Sequence, residues 1–225
     1  MSLKPTKKSD LGKAWLKGRE NRRQSILIHP EYHLIVTEGT KTEPNYFEAI
    51  KNQINREYKD RIRVEIEGTG LNTVNLVSLA EKYVNESSNG FKHVWVVYDK
   101  DDFPAELFNM AAELCHRKTT ENTIYHALWS NQCIELWFLL HFSFYQADIH
   151  RVDYCQKLTE RLMKIGAGKY EKNREDMFSV LRPYMNHAVS NAKRLSEINE
   201  GKTPTESAPG TEVYKIIEML RPYLL

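Results

Sequence analysis

Residues 93–102 read HVWVVYDKDD. Val94, Trp95, Val96, Val97 and Tyr98 carry no charge, and Asp99, Asp101 and Asp102 follow at once. A short β-branched and aromatic run without polar alternation predicts a strand buried on both faces. The acids fall where that strand leaves the sheet. Phe103-Pro104 then opens a helix, with proline suited to its first turn. An earlier stretch, residues 32–39 (YHLIVTEG), has the same shape: Leu34, Ile35 and Val36 form a buried strand, and Glu38-Gly39 stands at its exit. Two strands deliver carboxylates to their C-terminal ends, the edge at which open α/β sheets bind ligands.

Outward from these strands the pattern alternates. Phe47, Ile50 and Ile54 give one helical face after Glu38. Thr40 and Glu43 have capping-box spacing, and Thr42 is an equally good N-cap with Pro44 behind it. Residues 63–67 (RVEIE) alternate as a strand nearer the sheet edge. A turn, GTGLNT, follows at 68–73, with Asn72 or Thr73 as helix cap. After the helix that ends near Lys118 comes a fourth strand, about 123–129, then the apolar segment 134–142 (IELWFLLHF), too apolar for a surface helix. Beyond it we expect helices over about 150–164, 173–199 with Pro183 as a break, and 211–222, and a polar Pro/Gly-rich loop over 201–210. Alternating strands and helices imply right-handed crossovers and a parallel sheet. With strands one and three as neighbours the order is 2-1-3-4, and Glu38, Asp99 and Asp101 meet where the order reverses. The expected fold class is α/β: three layers around a four-stranded parallel sheet, with an α-helical C-terminal extension. Three parts are expected: a basic arm over 1–25, an α/β core over 26–145, and the extension over 146–225 packed on the core.

Composition narrows the function. The 225 residues are 41% hydrophobic and 28% charged, enough for a core in a soluble protein. No run approaches the ~20 apolar residues of a membrane helix, and the N-terminus lacks a secretory apolar core. A cytoplasmic location is expected. Cys115, Cys133 and Cys155 are far apart and form no CxxC pair, which argues against a disulfide framework or zinc site. Net charge is only +2, but residues 1–23 carry eight basic side chains against two acidic ones. A basic arm on a slightly acidic body suits phosphate-backbone contact, and a solvated tail is the plain alternative.

Crowded carboxylates repel unless a cation or proton intervenes. Mg²⁺ or Mn²⁺ suits such oxygen ligands and often uses one or two carboxylates plus substrate phosphate. Glu38, Asp99 and Asp101 are the candidate catalytic acids, and with Asp102 the candidate metal ligands. Glu135, set in an apolar segment, is a candidate for a second metal or for supporting the first, as in two-metal phosphodiester chemistry. Lys41 could meet a substrate phosphate. Neither GxGxxG nor a P-loop is present, so no nucleotide cofactor is expected.

Glu38-Gly39 after strand one and Asp99-x-Asp101 after strand three resemble the pattern of Toprim domains, found in topoisomerases, primases and OLD-family nucleases. Four blocks together resemble the RloB-like family: IVTEGTKTEPNYFEAI at 35–50, GTGLNTVNLV at 68–77, HVWVVYDKDDFP at 93–104 and SNQCIELWFLLHF at 130–142. The resemblance implies a Toprim-like fold and a place in bacterial phage defence and abortive infection, beside an ABC- or AAA-type ATPase. It also implies Glu38, Asp99 and Asp101 as metal-binding catalytic acids. The family usually has Asn-Pro ahead of its Glu-Leu-Trp block, and here Gln132 stands in place of that proline. On this reading the protein is a metal-dependent nuclease of DNA or RNA. Two other readings stay open: a non-catalytic Toprim module that senses a phage product or anchors an ATPase, and a small-molecule phosphohydrolase.

Overall fold

A computed structural model describes residues 30–70 and 73–224. The expected basic arm over 1–25 and the proposed cap Asn72 lie outside the described residues. Four parallel strands, β1 (Glu31–Thr37), β2 (Ile62–Gly68), β3 (Phe91–Asp99) and β4 (Ile124–Asn131), line up in the order β2-β1-β3-β4. The expected four-stranded sheet is corrected to five. A two-residue strand, β5 (Gly210–Thr211), pairs antiparallel with Ser130 and Asn131 at the far edge. This strand spans the end of the expected 201–210 loop and the expected start of the 211–222 helix, which begins only at Tyr214; two residues leave no alternation to read, so only tertiary pairing reveals it.

β3 has neighbours on both sides, and residues 94–98 are all buried, which is why no charged residue interrupts the run. Side chains alternate between two cores. Leu34, Val36, Val94, Val96 and Tyr98 pack against α2 (Thr73–Glu86) and α3 (Ala105–Lys118) through Leu76, Val77, Phe108 and Ala111. Ile35, Trp95, Val97 and Leu128 face the other way, onto α1 (Thr42–Glu57) and α4 (Glu135–Leu140). The C-terminal helices complete this second core: α5 (Arg151–Lys164), α6 (Met177–Leu181), α7 (Met185–Ile198) and α8 (Tyr214–Leu220). Pro183 breaks the predicted 173–199 helix, placing a 3-10 turn at Arg182–Tyr184 between α6 and α7, as a ring without an N–H requires.

α4 is buried along its whole length. Its Trp137 indole donates to the Tyr46 hydroxyl at 3.1 Å, tying the segment to α1. Truncating a buried Trp of this kind costs about 3–5 kcal/mol. At the opposite edge, Asn55 bonds both the N–H and the C=O of Val64, at 2.9 Å each. That pairing blunts the β2 edge against strand addition. No helix among the described residues is long and apolar enough to cross a membrane.

Candidate functional site

A cleft of about 290 Å³ opens at the C-terminal ends of β1 and β3, lined among others by Glu38, Lys41, Glu43, Asp99, Asp101, Glu135 and Lys172. Five of the six side chains singled out from sequence meet here: Glu38, Lys41, Asp99, Asp101 and Glu135. Asp102 does not line it. It is 78% exposed, belongs to a shallower depression next door, and bonds Arg151 at 2.7 Å.

Each acid is held differently. Glu38 Oε2 accepts the Asp99 N–H at 3.4 Å. Burial, then the charges of Glu43 and Asp101, push the Glu38 carboxyl up to about 7. One Asp99 oxygen accepts the Ile134 N–H at 3.1 Å, while the other, Oδ1, is buried and unpartnered. Burial and the facing charges of Glu43, Glu135 and Asp101 hold Asp99 well above the ordinary carboxylate range. Glu135 accepts the Tyr170 hydroxyl at 2.8 Å and lies 3.7 Å from the Cys155 thiol. Asp101 occupies a left-handed backbone conformation, φ +38°, which Asp tolerates better than most residues.

Two lining residues carried no functional reading from sequence. Glu43 was expected to serve a capping box, but the N-cap position of α1 falls on Lys41, with no side-chain cap. Thr42, the other expected cap, is already the first helical residue, and its hydroxyl donates to the Lys172 carbonyl at 2.8 Å. The Glu43 carboxylate turns back toward the Gly39 amide. Burial, then Glu135, raises its pKa. An acid in the first turn after a strand-exit Glu was a usable signal. Lys172 had none: it arrives on the 165–176 segment, also fastened by Asn45 Nδ2 to the Asn173 carbonyl at 3.0 Å. Burial works to lower the Lys172 pKa, but facing negative groups, Glu135 foremost, outweigh it and keep the ammonium charged.

The donor set is all oxygen, which fits Mg²⁺ or Mn²⁺, and the orphaned Asp99 Oδ1 is a buried acceptor with no protein donor. A second group lies at the opposite end of the strands. Donor atoms of Glu31, His33 and His93 fall within 4.8 Å of one another and could hold a metal ion. Among the described residues no such convergence occurs among the cleft acids. Yet His33 Nδ1 accepts the Trp95 indole N–H at 3.1 Å, and His33 Nε2 faces Glu31 Oε1 at 2.9 Å. Indole nitrogen only donates. A neutral His33 ring therefore carries its proton on Nε2, where a metal would have to bind.

A family profile described as RloB-like protein matches residues 33–220. The chain belongs to the RloB-like family. No curated protein and no solved structure matches it. The match spans the cleft acids, Glu43, the Arg151 helix and Lys172 alike.

Proposed function

We propose that this RloB-like protein is a Mg²⁺- or Mn²⁺-dependent phosphodiesterase that cleaves nucleic acid. The observation that carries this reading is the Asp99 carboxylate, placed among Glu38, Glu43, Asp101 and Glu135 with Oδ1 buried and without a partner. Such an arrangement is costly in a merely structural role. Glu38, Asp99 and Asp101 would hold the metal, with Glu43 and Glu135 in reach of a second. The metal would polarise a phosphoryl oxygen and favour an attacking hydroxide. In place of that ligand role, a Glu38 left off the metal, with its carboxyl near 7, would suit general acid or base work at neutral pH. Lys41 and Lys172 at the mouth of the cleft supply positive charge for a phosphate. The basic arm would follow the backbone beyond the cleft. Residues 26–145 would form the reactive core and 146–225 the extension that carries Lys172. A role in phage defence beside an ATPase belongs to this proposal through the family alone.

The test is incubation with plasmid, single-stranded DNA and total RNA, with Mg²⁺ or Mn²⁺, alone and with any co-encoded ATPase. EDTA should stop cleavage, and Glu38→Gln and Asp99→Asn should each reduce it by orders of magnitude. Cleavage that survives Glu38→Gln would remove the cleft from the reaction.

A further inference from the structure

Three groups close a ring on the outer wall of the cleft. Gln132 accepts the Asp101 N–H through its backbone oxygen at 3.0 Å. Through its side-chain oxygen it accepts the Arg151 N–H at 3.2 Å. Arg151 in turn reaches Asp101 Oδ1 with one guanidinium nitrogen at 2.9 Å and Asp102 Oδ2 with the other at 2.7 Å. Asp101 thus has its backbone and its side chain held from one origin, in a left-handed conformation that it would not choose unaided. Arg151 is 35% exposed and Asp101 38%. Ion pairs so exposed contribute about 0–1 kcal/mol to stability. Their effect here is directional: one oxygen of Asp101 is engaged on the outer side, and Asp102 is drawn away from the cleft.

We propose that Arg151, seated by Gln132, is the positioning residue that aims the Asp101 carboxylate into the acidic cleft. This rests on the metal reading of that cleft. It is particular to a chain with Gln132, because a proline there would have no side-chain oxygen to accept the Arg151 N–H. Carboxylate ligands are oriented by such outer partners, whose loss weakens metal binding about 10–100-fold.

The experiment is Mn²⁺ titration of the full chain, read by electron paramagnetic resonance of free Mn²⁺ and by thermal melting. Arg151→Ala should weaken Mn²⁺ by about 10–100-fold while moving the metal-free melting temperature little. Gln132→Ala should act in the same direction with smaller effect, and Arg151→Lys should recover part of the loss. In an Asp101→Asn background Arg151→Ala should cost nothing further, which a general structural role would not produce. Unchanged or tighter Mn²⁺ binding in Arg151→Ala, with binding still lost in Glu38→Gln, overturns the role of Arg151 alone. No saturable site in the wild type, or normal binding in Glu38→Gln, removes the metal reading and this role with it.

Discussion

Glu38 Oε2 accepts the backbone N–H of Asp99 at 3.4 Å, so the acid of β1 leans on the acid-bearing residue of β3. Both carboxyls are raised above their ordinary values, chiefly by burial, Glu38 to about 7. A raised carboxyl means that the folded state holds its proton more tightly than the unfolded chain does. The stability tied to that proton is complete below the unfolded value near 4.5 and is lost as pH climbs through about 7. Without metal, Glu38→Gln should therefore gain on the wild type in urea midpoint as pH rises from about 5 to 8. Mn²⁺ affinity of the wild type should rise over the same window, since ligand protons must leave. A difference between variant and wild type that stays constant across this range would show that Glu38 titrates normally.

Asp99→Asn tests the same cluster through charge. The amide can still accept the Ile134 N–H, and its NH₂ offers a donor to the surrounding carboxylates. Metal-free Asp99→Asn should be neutral or more stable by about 0.5–2 kcal/mol. Millimolar Mn²⁺ should raise the melting temperature of the wild type, because it binds the native state, and barely that of the variant. If Asp99→Asn melts well below wild type and metal shifts both equally, Asp99 is a structural acceptor for Ile134.

What the sequence could tell follows the range of its signals. β1 and β3 were legible because strands buried on both faces admit no charged residue, and Glu38, Asp99 and Asp101 lie within two residues of their ends. Glu135 was legible by contrast, as a charge in an apolar run. Lys172 and Arg151 were not. Lys172 docks through Thr42 across 130 positions of sequence, and no local pattern encodes that approach. Asp102 looked equal to its neighbours because sequence spacing cannot say which way a turn points. The left-handed Asp101 sends the chain outward, and Asp102 goes to Arg151.

The histidines provide a discriminating test of where metal binds. His33 is held down to about 4 and His93 below its ordinary value, each foremost by burial, so both rings are neutral at pH 7. Neutral imidazoles suit zinc-like ions better than Mg²⁺ or Mn²⁺. His33→Gln and His93→Gln should leave Mn²⁺ affinity unchanged, whereas Glu38→Gln should abolish it. Trp95→Phe removes the obligate donor to His33 Nδ1, letting the ring proton move there and freeing Nε2. That variant should gain Zn²⁺ affinity. Loss of Mn²⁺ binding in either histidine variant would transfer the metal to the Glu31, His33 and His93 group.

Gly39 is required for space. A Cβ built there would lie 2.1 Å from Glu43 Oε2 and 2.7 Å from Glu43 Cδ. The end of a flexible side chain normally swings aside from such a clash, but Glu43 is only 6% exposed and has little room to move. Gly39→Ala should cost about 1–3 kcal/mol, the range for overpacking a filled interior. It should also weaken Mn²⁺, since the displaced carboxylate faces Asp99 and Glu38. Glu43→Ala in the same chain removes the obstructed group. The double variant should then be more stable than the sum of the two single losses, by about 0.5–3 kcal/mol, the coupling of residues in contact. The Mn²⁺ loss should not recover, because the double variant still lacks the Glu43 carboxylate. Urea melts of the four proteins close the cycle. Strict additivity would mean that Gly39 acts through its own backbone, and that the approach of Glu43 to the β1 exit plays no part in shaping the cleft.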